Sequence, residues 1–223
     1  MLNLFKKTIQ HYPKLGPTER IPKIIEEFIY PPLEKKDFKI LKSGLSIKRT
    51  IDIFQQEIWF SKSKWNIENE ICAFTPHFTV TLKNYKKWHL SEYGEQPMND
   101  VLESHAANYI NSWNKELFDN DDYNLAKDDN SRIVQLLNEN IANYGLPFLE
   151  RLSNYESAVE HLMKSERFYL APKMIDICII KEDFQTANDV LSWFRNYERT
   201  GKSEFMESTL KDMNQRECKI TGA

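Results

Sequence analysis

Long apolar runs are missing from this 223-residue chain. No stretch approaches the roughly 20 continuous apolar residues that a membrane-crossing helix needs. The opening residues, MLNLFKKTIQHYPKLGP, hold only a few apolar positions before Lys6 and Lys7. A secretory signal needs an apolar run of about 7–15 residues. Cysteine is scarce: Cys72, Cys178 and Cys218 are far apart and odd in number. They predict neither a disulfide framework nor a Cys-x-x-Cys metal site, and a reducing cytoplasm is the simplest compartment. With 6 Gly and 9 Pro, collagen-like and low-complexity classes are excluded. The five histidines (His11, His77, His89, His105, His161) show no His-x-x-x-His or His-Glu-x-x-His spacing. No phosphate loop, dinucleotide fingerprint or Gly-x-Ser-x-Gly motif occurs. The expectation is therefore no cofactor and no metal.

What is present is an ordinary globular composition, 41% hydrophobic and 28% charged. The net charge of −3 hides an asymmetry. Residues 1–90 hold 16 basic and 9 acidic side chains, whereas residues 91–223 hold 14 and 24. Two readings follow. The halves attract one another and present solvated faces, or the basic half meets an anionic partner.

Hydropathy patterning divides the chain. Pro22 suits a first helical position, and Ile24, Ile25, Phe28 and Ile29 make a helical stripe over Pro22–Leu33. Pro31 and Pro32 should stop or kink it. The period then changes to two. Phe38–Ile40 and Leu45–Lys48 flank a Ser43-Gly44 turn and predict a hairpin, followed by a strand from Ile51 to Phe60. Phe74–Leu82 alternates cleanly, with Phe74, Phe78, Val80 and Leu82 on one face and Thr75, His77, Thr79 and Thr81 on the other. Such alternation predicts an antiparallel sheet covered on one side.

From about residue 99 the spacing predicts helices to the end. Leu102, Ala106, Tyr109, Ile110, Trp113 and Leu117 form the first stripe, behind an Asn99/Asp100 cap. Asp119–Asp122 interrupts it as an acidic turn, and it lacks the ligand pattern of an EF-hand. Asp119–Asn130 reads as the most linker-like stretch. A helix from about Ser131 follows, with Gly145 at its C-cap and Pro147 beyond. Ser153 and Glu156 suggest a capping box. Helices then run over Leu170–Ile180, Phe184–Tyr197 and, after Gly201, through Met213.

Two groups of residues could recognise a ligand. Lys62, Ser63, Lys64, Trp65 and Asn66 close a strand, and lysines beside an indole suit phosphates and stacked bases. A polar strand end, with Trp65 tucked over the core, is the bland alternative. The second group is the polar sheet face: Gln55, Glu57, Trp59, His77, Thr79 and Thr81 would share one surface if their strands pair, fit for a peptide or small polar ligand. A plain solvated sheet would carry the same residues.

The stretch from Ile24 to Leu82 resembles a known family. The helix IIEEFIYPPLEKKDFKIL leads to a hairpin, a strand ending in WFSKSKWN, and the strand FTVTL. This is similar to the bacterial family known only as domain of unknown function four-three-zero-four, and YGLPFLERLS extends the likeness over roughly residues 20–155. Lys62, Ser63, Lys64, Trp65 and Asn66 agree with its pattern. Ser61 stands in place of glutamine, Thr81 of asparagine and Lys83 of glycine. The resemblance implies an α+β domain and no defined activity.

The sequence therefore predicts an α+β fold. An antiparallel sheet of about four strands (residues 38–83) is covered by an N-terminal helix and followed by an all-helical C-terminal half. Residues 1–150 form the α+β domain and 151–223 a helical extension. The expected function is that of a non-catalytic cytoplasmic interaction protein, an immunity-type or regulatory factor binding another protein and no membrane, with a homodimer compatible. The binding set is Gln55, Trp59, Lys62, Ser63, Lys64, Trp65, Asn66, His77, Thr79 and Thr81. The alternatives are nucleic-acid binding by the basic half and a hydrolase using His77 and Glu57.

Overall fold

The computed structural model describes residues 8–200 and 207–221, so the expected start of the last helix after Gly201 lies outside the described residues. The chain divides into two units between Glu150 and Arg151. The first unit opens with α1 (Pro17–Ile24), widens into a π turn at Ile25–Ile29 and closes with α2 (Tyr30–Glu34). Strands β1 (Lys39–Ile40), β2 (Ser46–Ile51), β3 (Phe54–Lys62) and β4 (Ala73–Leu82) follow. Then come α3 (Tyr85–Tyr93), β5 (Val101–Ala106), a 3₁₀ turn at Ala107–Tyr109, β6 (Phe118–Asp119) and β7 (Asp122–Asn124). The unit ends with α4 (Asn130–Asn140), a π turn at Ile141–Gly145 and α5 (Leu146–Glu150). Among the described residues, seven strands make one antiparallel sheet in the order β1-β2-β3-β4-β7-β6, with β5 also on β4. The fold is α+β, with an N-terminal helix and a helical C-terminal half.

The alternation of β3 and β4 decides where the core sits. Phe54, Ile58, Phe60, Phe74, Phe78, Val80 and Leu82 are all buried on one face. Each large apolar side chain so buried stabilises the fold by about 1.5–3 kcal/mol. Gln56 sits among them, fully buried. Its amide is satisfied on both sides: Oε1 accepts from Arg49 Nε at 2.7 Å, and Nε2 donates to the Leu149 carbonyl at 2.7 Å. That carbonyl lies in the last turn of α5, where no helical donor follows. The bond therefore ties α5 to the sheet.

The two π-interrupted helices of this unit carry buried residues every fourth position: Ile21, Ile25, Ile29 and Leu33 in the first, and Ile133, Leu137, Ile141, Gly145 and Leu149 in the second. In a pure α-helix a four-residue stripe drifts by about 40° per step. A π turn, with its wider i→i−5 bonding, takes up that drift. Each π turn also precedes proline, Pro31 and Pro32 in one helix and Pro147 in the other. Proline cannot donate to the carbonyl four residues back. The Phe28 carbonyl that Pro32 leaves open accepts instead from Asn138 Nδ2 on α4 at 3.0 Å. Pro17, not Pro22, takes the N-terminal position, and Pro22 lies inside α1.

Several expectations are corrected. The segment expected as a helix over 99–118 is β5 and a 3₁₀ turn. β4 pairs with β3 along one edge, and its other edge would be left with open N–H and C=O groups. β5 and β7 satisfy that edge. Ser104, Asn108, Asn111, Ser112 and Asn114 are poor helix formers, so the apolar spacing had little support. Asn99 does not cap a helix; its Oδ1 accepts from Val101 N as the strand opens.

The first part of the linker-like stretch, to Asn124, belongs to the β6–β7 hairpin. Asp119 pairs with Asp122 across Asn120 and Asp121, both at positive φ, so the acidic run is a two-residue turn inside the sheet. Ile51 ends β2 rather than starting β3, because Asp52 and Ile53 form another tight turn with Asp52 at φ +53°. Helix α3 was not expected; its signal was Gly94 at the C-terminal left-handed position, donating to the Leu90 carbonyl. Asn154, not Ser153, caps the helix of the supposed capping box.

Gly145 does not end a helix. A Cβ there would lie 2.3 Å from the Phe78 ring, so the glycine is what lets the helix lie against the sheet.

The second unit contains α6 (Tyr155–Lys164), α7 (Ala171–Ile180), α8 (Phe184–Glu198) and α9 (Glu207–Thr221). α7 and α8 match the helices expected over Leu170–Ile180 and Phe184–Tyr197, and Asp183 caps α8. The Phe168 ring lies against Trp193 at 4.2 Å and Tyr197 at 3.5 Å between centroids. Arg216 on α9 and Asp176 on α7 form a fully buried two-pronged pair, at 3.1 and 2.7 Å.

Two outcomes test this packing. Gly145→Ala gains about 1 kcal/mol of helix propensity, but overpacking against Phe78 costs about 1–3 kcal/mol. Urea denaturation should show a net loss that Phe78→Leu partly restores. Arg216→Met should lower stability by about 3–5 kcal/mol, since Asp176 loses its buried counter-charge. Adding Asp176→Leu should recover most of that loss, followed by fluorescence of Trp193, the one tryptophan after Arg151.

Candidate functional site

The register brings the polar residues of the strands onto one face. Gln55, Glu57, Trp59 and Ser61 of β3 stand opposite Thr81, Thr79, His77 and Thr75 of β4. Thr50, Lys48 and Ser46 of β2 extend the rows on one side, and Ser104 of β5 on the other. Of the sequence candidates, Gln55, Trp59, His77, Thr79 and Thr81 are therefore neighbours. All are half-buried except Thr79, which is buried and hydrogen-bonded to Ser104 Oγ at 2.7 Å.

The centre of this face is aromatic. Trp59 and His77, directly opposed across the strands, stack at 4.0 Å with 10° between their planes. His77 Nε2 lies 2.7 Å from Ser61 Oγ. Burial holds the imidazole pKa below its ordinary value, while the Asp122 carboxylate nearby pulls the other way. Asp122 itself accepts from the Thr75 hydroxyl. Glu57 is committed elsewhere: Ser46 Oγ donates to it, and Lys48 Nζ pairs with it at 3.1 Å. His77 is thus bonded to Ser61, and Glu57, its companion in the hydrolase alternative, is held by Ser46 and Lys48.

The second group stands at the strand ends. Lys62 and Lys64 are exposed. Trp65 is 68% exposed, with Lys64 Nζ 4.8 Å from its ring centroid, so it does not tuck over the core. In the same loop Asn66 is spent on the backbone. Asn66 Oδ1 accepts from Ala73 N, and Nδ2 donates to Ala73 O, at 2.6 and 3.0 Å. Ser63 Oγ accepts weakly from Trp65 N, at 3.4 Å. Asn66 and Ser63 therefore shape the loop, and Lys62, Lys64 and Trp65 are its outward groups.

Ser61, Thr75 and Asp122 complete the polar face; the alternation already sets Thr75 there, while Ser61 and Asp122 are additions of the structure. The same alternation in β3 would add Ser61, whereas Asp122 lies in an acidic run whose pattern carries no strand signal. The buried thiols are poor nucleophile candidates: burial pushes Cys72 to about 11 and Cys178 to about 12. Among the described residues, no group of three or more His, Cys, Asp or Glu could hold a metal ion, and no helix is long and apolar enough to cross a membrane. Comparison with protein-family models, with curated proteins and with solved structures finds no match to this chain.

The lowered imidazole pKa has a measurable consequence. Below the ordinary value of about 6.5, the unfolded chain binds a proton that the folded chain resists. Stability therefore falls as pH drops from about 6.5 towards the folded midpoint. An NMR titration should place the His77 midpoint below 6.5, and Trp59→Leu, which uncovers the ring, should move it back up.

Proposed function

We propose that this chain is an interaction protein that binds another protein through the polar face around Trp59 and His77. The observation that supports this reading is the lateral bonding of that face. Ser46–Glu57–Lys48, Ser61–His77–Trp59, Thr75–Asp122 and Thr79–Ser104 hold one another across the strands. Side chains already held in place lose little further entropy on binding, so such a face is pre-organised for a partner. The opposite charges of the two sequence halves suit steering of a charged protein. An immunity-type or regulatory role in the cytoplasm is the corresponding biological setting. The likeness to the family of domain of unknown function four-three-zero-four belongs to the same proposal, supported by WFSKSKWN at the end of β3 and FTVTL in β4.

The test is affinity capture with the whole chain and with Trp59→Ala. A protein retained by the parent and lost by Trp59→Ala, at unchanged melting temperature, is the expected result. Equal retention by both would reject the polar face as the contact.

A second reading rests on the exposed Lys62, Lys64 and Trp65, which suit a single-stranded nucleic acid. It predicts salt-sensitive binding of a fluorescent oligonucleotide that weakens when both lysines become glutamine and shows a shallower salt slope. No binding at low salt would remove it.

A further inference from the structure

We propose that Ser61 is an acyl-accepting serine, with His77 as its base and Trp59 as the residue that positions the imidazole, and that it is modified by activated carboxylic esters or thioesters. This goes beyond partner binding and does not depend on it.

The geometry carries the assignment. The single proton of the Ser61 hydroxyl has two acceptors within reach, His77 Nε2 at 2.7 Å and the Thr75 carbonyl at 3.4 Å. In the proposed arrangement the hydroxyl donates to Nε2, which puts the ring proton of neutral His77 on Nδ1. The Trp59 indole, nearly parallel to the imidazole, fixes the ring plane and so keeps Nε2 on the hydroxyl. Burial keeps the imidazole neutral near pH 7, the state in which it can accept a proton. The Asp122 carboxylate favours the imidazolium that forms when the proton arrives. Base, nucleophile and counter-charge come from β4, β3 and β7, and no local spacing in the sequence could have announced them.

The step balances without a further reactant. Ser61 Oγ attacks the carbonyl carbon, its proton passes to His77 Nε2, and a C–O bond forms. The carbonyl–leaving-group bond breaks, and the leaving alkoxide or thiolate departs with the proton from His77. The half-exposed face leaves the carbonyl oxygen to be solvated by water, which matches the pair to donors with good leaving groups. The product is an ester beside the Trp59–His77 stack, at the strand-end side of the polar face, formed once per chain.

The test uses the full chain and p-nitrophenyl acetate at pH 7.5, with mass fragmentation that separates Ser61 from Ser63. Ser61 should gain its acetyl group about a hundredfold faster than Ser63, or than Ser61 in the urea-unfolded chain, the scale of a positioned general base. The rate should rise with pH to a plateau above the His77 midpoint, while lysine acetylation keeps climbing. His77→Gln should drop Ser61 to the unfolded rate. Acetylation confined to lysines, a Ser61 rate equal to that of Ser63, or a His77→Gln chain that reacts like the parent would overturn the proposal. If His77→Gln does not fold, the parent pH profile decides: a Ser61 rate that rises tenfold per pH unit through pH 8 overturns it.

Discussion

Strand β4 is the constraint from which the first unit is built. Its ten residues have polar backbone groups along two edges, and neither edge is left to itself. β3 takes one, and β5 and β7 lie end to end along the other. Its two sets of side chains do opposite work. Phe74, Phe78, Val80 and Leu82 anchor the apolar interior, while Thr75, His77, Thr79 and Thr81 supply the middle row of the polar face. The position of His77 beside Trp59 and Ser61 is thus a by-product of burying Phe78. The chemistry of one surface is held to the packing of the other by a single pleated backbone.

That coupling explains what could be read from the sequence. The alternation in β3 and β4 was plain, because each has a water-facing and a core-facing side. The expectation that Gln55, Glu57, Trp59, His77, Thr79 and Thr81 share one surface was conditional on their strands pairing, and the β3–β4 register meets that condition. The failures share a cause. β5, β6 and β7 exist because β4 has an edge to satisfy, and an unsatisfied edge on a distant strand leaves no mark on residues 101–124. Leu102 and Ala106 happened to fall at helical spacing, and Asp119–Asp122 looked like solvent-loving chain. Asp122, which shapes the field at His77, was lost with its strand. Trp65 differs: the bland alternative would tuck it over the core, yet it stands 68% exposed in a loop whose Asn66 is spent on Ala73, a pairing that nothing in SKSKWN announces.

The two units use polar burial in different ways. In the first, Gln56 is neutral and bridges Arg49 to the end of α5, so a sheet and a helix share one satisfied amide. In the second, Arg216 and Asp176 place full charges where water is absent. The neutral bridge has modest energetic weight and mainly sets the distance at which the elements rest. The ion pair gains little over a well-packed apolar pair of the same size, and the loss of either partner leaves the other charge buried and uncompensated.

The four-residue stripes at Ile21–Leu33 and Ile133–Leu149 have a consequence for tracing this chain's ancestry. Each π turn holds one residue more than a straight helix would need to present the same stripe. A relative built with uninterrupted helices would be one residue shorter at each place. Matching the two would require gaps in the middle of helices, just ahead of Pro31 and Pro147. Rules that confine insertions to loops would misplace every residue on one side of those points.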